Sequence, residues 1–213
     1  MPRAPRTAPR KSLYGVHPGV AMIQKWITDL PEKTGKTLEE WIELIKESGP
    51  PTEKERRDWL KAEHGLGTNA AWWLAERADG KGTEAGDPEA YLQAAEGYVA
   101  EMFAGSKAGL RPLYDELLQL GLGLGADVKA CPCKTIVPLY RTHVFAQIKP
   151  TTRTRIDLGF ALGATKATGR LIDTGGYAKK DRITHRIPIS ALKDIDAKVR
   201  RWLRIAYELD AKA

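Results

Sequence analysis

Three stretches in the last third of the chain set cationic side chains against apolar ones with a period of two. In residues 153–162, Ile156, Leu158, Phe160 and Leu162 fall on one side, and Arg153, Arg155 and Asp157 on the other. Residues 182–189 repeat the plan, with Ile183, Ile187 and Ile189 opposed to Arg182, Thr184 and Arg186. Residues 143–149 offer a partner, with Val144, Ala146 and Ile148 inward and Phe145, Gln147 and Lys149 outward. This is the period of a strand with one buried and one wet face. Pairing the three would gather Lys149, Arg153, Arg155, Arg182 and Arg186 around Phe145, with Lys180 adding charge. Guanidinium and ammonium groups hold phosphates through charge-assisted hydrogen bonds, and Phe145 would give an unpaired base a ring to stack on. The plainer alternative is a solvated strand surface whose cations guard an edge. Against it, only Asp157 and Asp181 interrupt the cations.

The formal net charge of +7 is unevenly placed. Residues 87–127 hold 2 Lys/Arg against 7 Asp/Glu, whereas residues 128–189 hold 12 against 3. A patch of that kind steers anions toward itself. The expected function is therefore non-catalytic binding of nucleic acid, DNA rather than RNA, with low sequence specificity. Two alternatives stand beside it. One is a protein-interaction or small-anion module whose basic groove meets an acidic partner or a phosphorylated ligand. The other is a metal or thiol protein using Cys131 and Cys133.

The remaining chemistry-bearing residues form weaker patterns. Cys131-Pro132-Cys133, with His143 and His185, has the residue types of a zinc set but lacks the usual two-residue spacer. His185 shares the apolar side with Ile183 and Ile187, where a satisfied buried imidazole is the plainer account. Residues 52–78 read as helix–turn–helix, with Thr68, Asn69, Trp72 and Arg77 on the second helix. Glu53, Glu55, Asp58, Glu63 and Glu76 would repel phosphates there, so packed helices with Trp72 and Trp73 in the core are expected. The glycines at 121, 123 and 125 follow a leucine-rich helix, not a strand, so they do not make a nucleotide cradle. Paired carboxylates for metal-assisted hydrolysis are missing, and neither enzymatic activity nor a cofactor is expected.

The elements that must position these residues read as follows. Residues 1–12 form a basic tail with Arg3, Arg6, Arg10 and Lys11. Residues 13–78 read as a small all-α domain. Its first helix opens at Pro18 and is kinked or ended by Pro31; Thr37/Glu40 and Thr52/Glu55 are capping boxes for the next two. Residues 79–87 (DGKGTEAGD) have linker composition. Residues 88–213 read as an α+β domain: two helices, an antiparallel sheet, and a closing helix capped by Ser190 with Leu192, Ile195, Val199, Trp202, Leu203 and Ala206 as its stripe. No apolar run approaches the ~18–20 residues that span a bilayer, so no membrane partner is expected. Residues 1–11 lack the apolar core of a secretory signal. Two cysteines two residues apart build no disulfide framework, which fits a reducing compartment, and a cytoplasmic location is expected.

Beyond about Asp87 the chain resembles bacterial domains of unknown function related to the YdhG-like fold and, more distantly, the double-wing MmcQ/YjbR type. The resemblance rests on residues 142–146 (THVFA), 154–159 (TRIDLG) and 183–189 (ITHRIPI), then Ile195-Asp196 opening the last helix. The N-terminal helices, with His64-Gly65-Leu66-Gly67, look like a second uncharacterised bacterial domain that precedes such modules. What the resemblance implies is an α+β fold, with iron handling known for YdhG-like relatives and DNA binding for double-wing ones.

Overall fold

The computed structural model describes residues 12–211 of the chain. The basic tail read at residues 1–12 lies outside it, apart from Ser12. The chain divides into two compact units, Val16–Ala94 and a second made from Ala95 onward together with the segment ending at Gly15. Seven α-helices and six strands occur among the described residues, and no helix there is long and apolar enough to cross a membrane.

The first unit is helical. Helix α1 (Pro18–Thr34) has Pro18 in its first turn, where a missing N–H costs nothing. It continues through Pro31 to Thr34, one turn further than proline alone would allow. Thr34 Oγ1 donates to the Leu30 carbonyl at 2.7 Å, and Gly35, left-handed at φ 77, bonds the Pro31 carbonyl. Helices α2 (Leu38–Ser48) and α3 (Glu53–His64) start at complete capping boxes, Thr37/Glu40 and Thr52/Glu55. Their buried stripes meet α4 (Thr68–Ala78) in a core of Leu30, Trp41, Ile45, Leu60, Ala71, Leu74 and Ala75. Trp73 packs against this core, but Trp72 points out and is exposed, with the Arg57 guanidinium over its ring. Residues 79–87, with linker composition, contain a 3-10 turn at Thr83–Gly86 that packs on α1.

In the second unit, α5 (Pro88–Met102), on which the division falls, and α6 (Arg111–Leu122) precede the sheet. The strands are β1 (Lys129–Ala130), β2 (Val137–Tyr140), β3 (Val144–Pro150), β4 (Ile156–Phe160), β5 (Ile172–Asp173) and β6 (His185–Ile189), all antiparallel in the order β1-β2-β3-β4-β6-β5. Helix α7 (Ala197–Asp210) closes the fold. Ala146, Ile148, Ile156, Leu158, Ile187 and Ile189 face Leu113, Leu117, Val199, Leu203 and Ala206 in one apolar core. Gly121 makes the approach of α6 to the sheet possible: a Cβ there would stand 2.5 Å from Leu139 Cδ1.

Ser190 does not cap the last helix. Asp194 Oδ2 takes the Ser190 and Ala191 N–H groups into a tight turn, and Asp196 Oδ1 then accepts from Lys198 and Val199 as the true N-cap.

Candidate polyanion interface

The sheet face away from the helices carries Gln147, Gly159 and Arg186 in one row and Lys149, Asp157 and Pro188 in the next. Of the expected site residues, Lys149 is exposed on β3, and Arg153 is exposed in the turn between β3 and β4. Arg155 and Arg186 lie on this face too, but neither stands in open water. Asp157 pairs with both: Arg155 Nε stands 3.0 Å from it and Arg155 Nη2 donates to it at 3.4 Å, Arg186 Nη1 donates at 3.1 Å, and it also takes the Thr151 hydroxyl at 2.9 Å. One carboxylate therefore neutralises half the charge of two guanidiniums.

Phe145 is in the core, at 0% exposure, edge-on to Tyr207. The β2–β3 register slips between Leu139 and Tyr140, which pair with Ala146 and Val144, so Phe145 is the extra residue of a bulge. A bulge breaks the strict alternation, and here it turns Phe145 inward beside Ala146. It cannot stack on a base.

Arg182 precedes β6, which begins only at His185. Its guanidinium pairs with Asp210 of α7, and its Nε donates to the Val144 carbonyl at 2.9 Å. The Asp210 side chain, 0% exposed, also accepts the Thr142 and His143 N–H groups at 2.8 and 3.0 Å. Arg182 is thus part of a structural clasp. Ile183, outside the strand, lies over Gly159 on the open face and not beside Ile187. Lys180 is exposed and holds a left-handed backbone at φ 60. With Arg182, Tyr177 and Leu209 it borders a cavity of about 720 Å³.

Sequence reading missed two lysines. Lys107, from a 3-10 turn (Gly105–Leu110), and Lys134, from the β1–β2 loop, join Lys149 around a polar cavity of about 400 Å³, with the hydroxyl residues Ser106, Thr135 and Thr151 on its wall and Glu101 on its border. Lys107 Nζ donates to the Pro150 carbonyl at 2.8 Å. No sequence period links these positions; only the fold brings them together. Among the described residues, Lys134, Lys149, Arg153 and Lys180 have no carboxylate within 4.0 Å.

The thiols and imidazoles stay apart. No group of three or more His, Cys, Asp or Glu residues able to hold a metal occurs among the described residues. Burial, and then the neighbouring Cys133, push the Cys131 thiol up to about 12, and burial raises Cys133 as well. Thiols so held are protonated and poor nucleophiles at neutral pH. His185 is buried with its Nδ1 on the Thr184 hydroxyl at 2.9 Å. In the helical unit Arg77 is buried with its guanidinium 4.6 Å from the Trp73 ring centre, so it is not presented to a groove.

A helical unit followed by an α+β unit makes this a two-domain protein. The chain belongs to the family described as "Domain of unknown function (DUF5655)", whose model matches residues 99–210, just over half of its length. A second model, "Domain of unknown function (DUF4287)", matches residues 22–80 in the helical unit. Neither description carries the YdhG-like or MmcQ/YjbR name. No curated protein and no solved structure matches the chain.

Proposed function

We propose that the C-terminal domain binds nucleic acid through its phosphates, without catalysis and with low sequence specificity. The observation that carries this reading is the convergence of Lys107, Lys134 and Lys149, from three separate elements, on one hydroxyl-lined polar cavity, with Arg153 on the adjoining turn. Ammonium groups flanked by hydroxyl donors suit a phosphate, which accepts from both. The cations already locked by Asp157 and Asp210 are set aside, as is Lys107, whose ammonium is bonded to the Pro150 carbonyl, so the contacts fall to Lys134, Lys149, Arg153 and Lys180. About four phosphate contacts give a log–log salt slope of roughly −3 to −4 on duplex DNA. The test is salt-titrated binding of mixed-sequence duplex DNA, single-stranded DNA and RNA to the full chain. A Lys134→Ala/Lys149→Ala/Arg153→Ala variant is expected to flatten the slope by about 3. Unchanged binding in a variant of unchanged melting temperature would sink the reading.

A second reading is a protein-interaction surface at the Lys180/Arg182 cavity, where Tyr177 is 61% exposed and Leu209 41% exposed. Large exposed apolar side chains beside a cation fit an acidic partner segment with an apolar anchor. Tyr177→Ala/Leu209→Ala would abolish capture of such a peptide and leave oligonucleotide binding untouched.

A further inference from the structure

Phe145 cannot receive a base, but a different aromatic residue stands beside unpaired cations elsewhere on the same domain. Trp202 is half-buried on α7, and the exposed Lys198 lies four positions before it and three before the exposed Arg201. Residues at that spacing are neighbours on one helix face. All three line a cavity of about 260 Å³ whose other walls include Arg170, the 168–169 turn and the buried side chains of Leu171 and Ile187. The cavity's character is therefore divided: apolar and aromatic below, cationic at the border.

The charges are not cancelled in place. Arg170 is fixed by the Asp196 carboxylate, the Asp194 carbonyl and the Pro188 carbonyl, each at 3.1 Å. Asp196 is fully used, one oxygen on Arg170 and the other capping α7. Lys198 and Arg201 have no carboxylate within 4.0 Å among the described residues. Two free cations at the first turns of a 14-residue helix add to the positive end of its dipole. The volume is slightly below the ~300–1,000 Å³ of drug-sized pockets. It suits a single ring system bearing one anionic group and is too small for a duplex or a helix.

We propose that this cavity takes one nucleotide residue of a single strand, its base against Trp202 and its phosphate on Lys198 and Arg201. The inference rests on the nucleic-acid reading above and deepens it: the strand engaged would be single-stranded or have one base turned out of the stack. Base–aromatic stacking is sequence-tolerant, which agrees with low specificity.

The experiment titrates the full chain calorimetrically with deoxyadenosine monophosphate, deoxyadenosine and inorganic phosphate. In parallel it measures binding of a single-stranded oligonucleotide and its duplex. The monophosphate should bind, with the nucleoside and the phosphate each weaker by about tenfold or more. Lys198→Ala/Arg201→Ala, confined to exposed side chains, should abolish that binding. Trp202→Phe should weaken the monophosphate while leaving phosphate alone unchanged, a split that a merely structural role would not give. Phosphate binding as tightly as the monophosphate would overturn the base pocket. A chain that binds the oligonucleotide but not the monophosphate overturns this inference alone; one that binds neither overturns the nucleic-acid reading with it.

Discussion

The Arg186 guanidinium on β6 lies 3.1 Å from the Asp157 carboxylate on β4, diagonally across the strand pair Gly159–Arg186 and Asp157–Pro188. Arg155 reaches the same oxygen, so Asp157 holds two cations that the alternation of residues had placed in water. Replacing it by a neutral isostere would return both. Asp157→Asn is expected to tighten nucleic-acid binding and steepen the salt slope by up to about 2. Unaltered affinity and slope would detach the open sheet face from binding and leave the lysine cavity to carry it.

Asp210 is the opposite case, a carboxylate whose loss the fold should not tolerate. It is buried, accepts two backbone N–H groups from the β2–β3 turn and faces Arg182. Arg182 itself is 44% exposed, so the loss is that of charge-assisted hydrogen bonds to a buried carboxylate, about 1.5–3 kcal/mol. Asp210→Asn should lower the urea midpoint accordingly, while Asp157→Asn should lower it less. A loss below about 1 kcal/mol for Asp210→Asn would contradict the clasp.

The two thiols should be silent in the folded chain. With its pKa pushed up by burial to about 12, Cys131 would be thiolate in only about one molecule in ten thousand at pH 8. An aromatic disulfide reagent at that pH should leave it unlabelled in the native state and should label both cysteines after denaturation. Rapid native labelling of Cys131 would reopen a thiol function.

Acid should weaken the start of α7. Backbone N–H groups, Val199 foremost, favour the Asp196 carboxylate and hold its pKa below the ordinary aspartate value of 3.8. The folded state then binds the proton less readily than the unfolded one. The stabilisation is complete above about 3.8 and is lost as pH falls through the lower folded value. Asp196→Asn keeps an N-cap oxygen but no charge. The stability gap between it and the natural chain should narrow as pH drops below about 4; a constant gap would mean that the charge contributes nothing.

The period of two within residues 156–160 and 185–189 is enough to place β4 and β6 in one sheet, and the two Thr/Glu pairs are enough to start α2 and α3. Local chemistry fixes these features, and local chemistry is what a sequence displays. What the residues did not display were events that depend on register. The bulge at Leu139/Tyr140 turned Phe145 inward, the turn after Ile189 moved the cap from Ser190 to Asp196, and Asp157 gathered arginines from two strands. Lys107 and Lys134 were invisible for a simpler reason: 42 and 15 residues separate them from Lys149, and no motif spans such gaps.

The segment before α1 belongs to the second unit. The Gly15 N–H donates to the Ala130 carbonyl at 2.9 Å, alongside the two-residue outer strand, and Tyr14 shares a hydroxyl contact of 3.1 Å with Tyr114. The helical unit lies between two stretches of chain that belong to the second unit, and the span matched as DUF5655, residues 99–210, omits the residues that bond the backbone of Ala130. A fragment trimmed to that span would bare the backbone of Ala130 and invite strand-to-strand self-association. Residues 14 and 15 act as a covalent cover strip whose loss should appear as oligomers, not as unfolding.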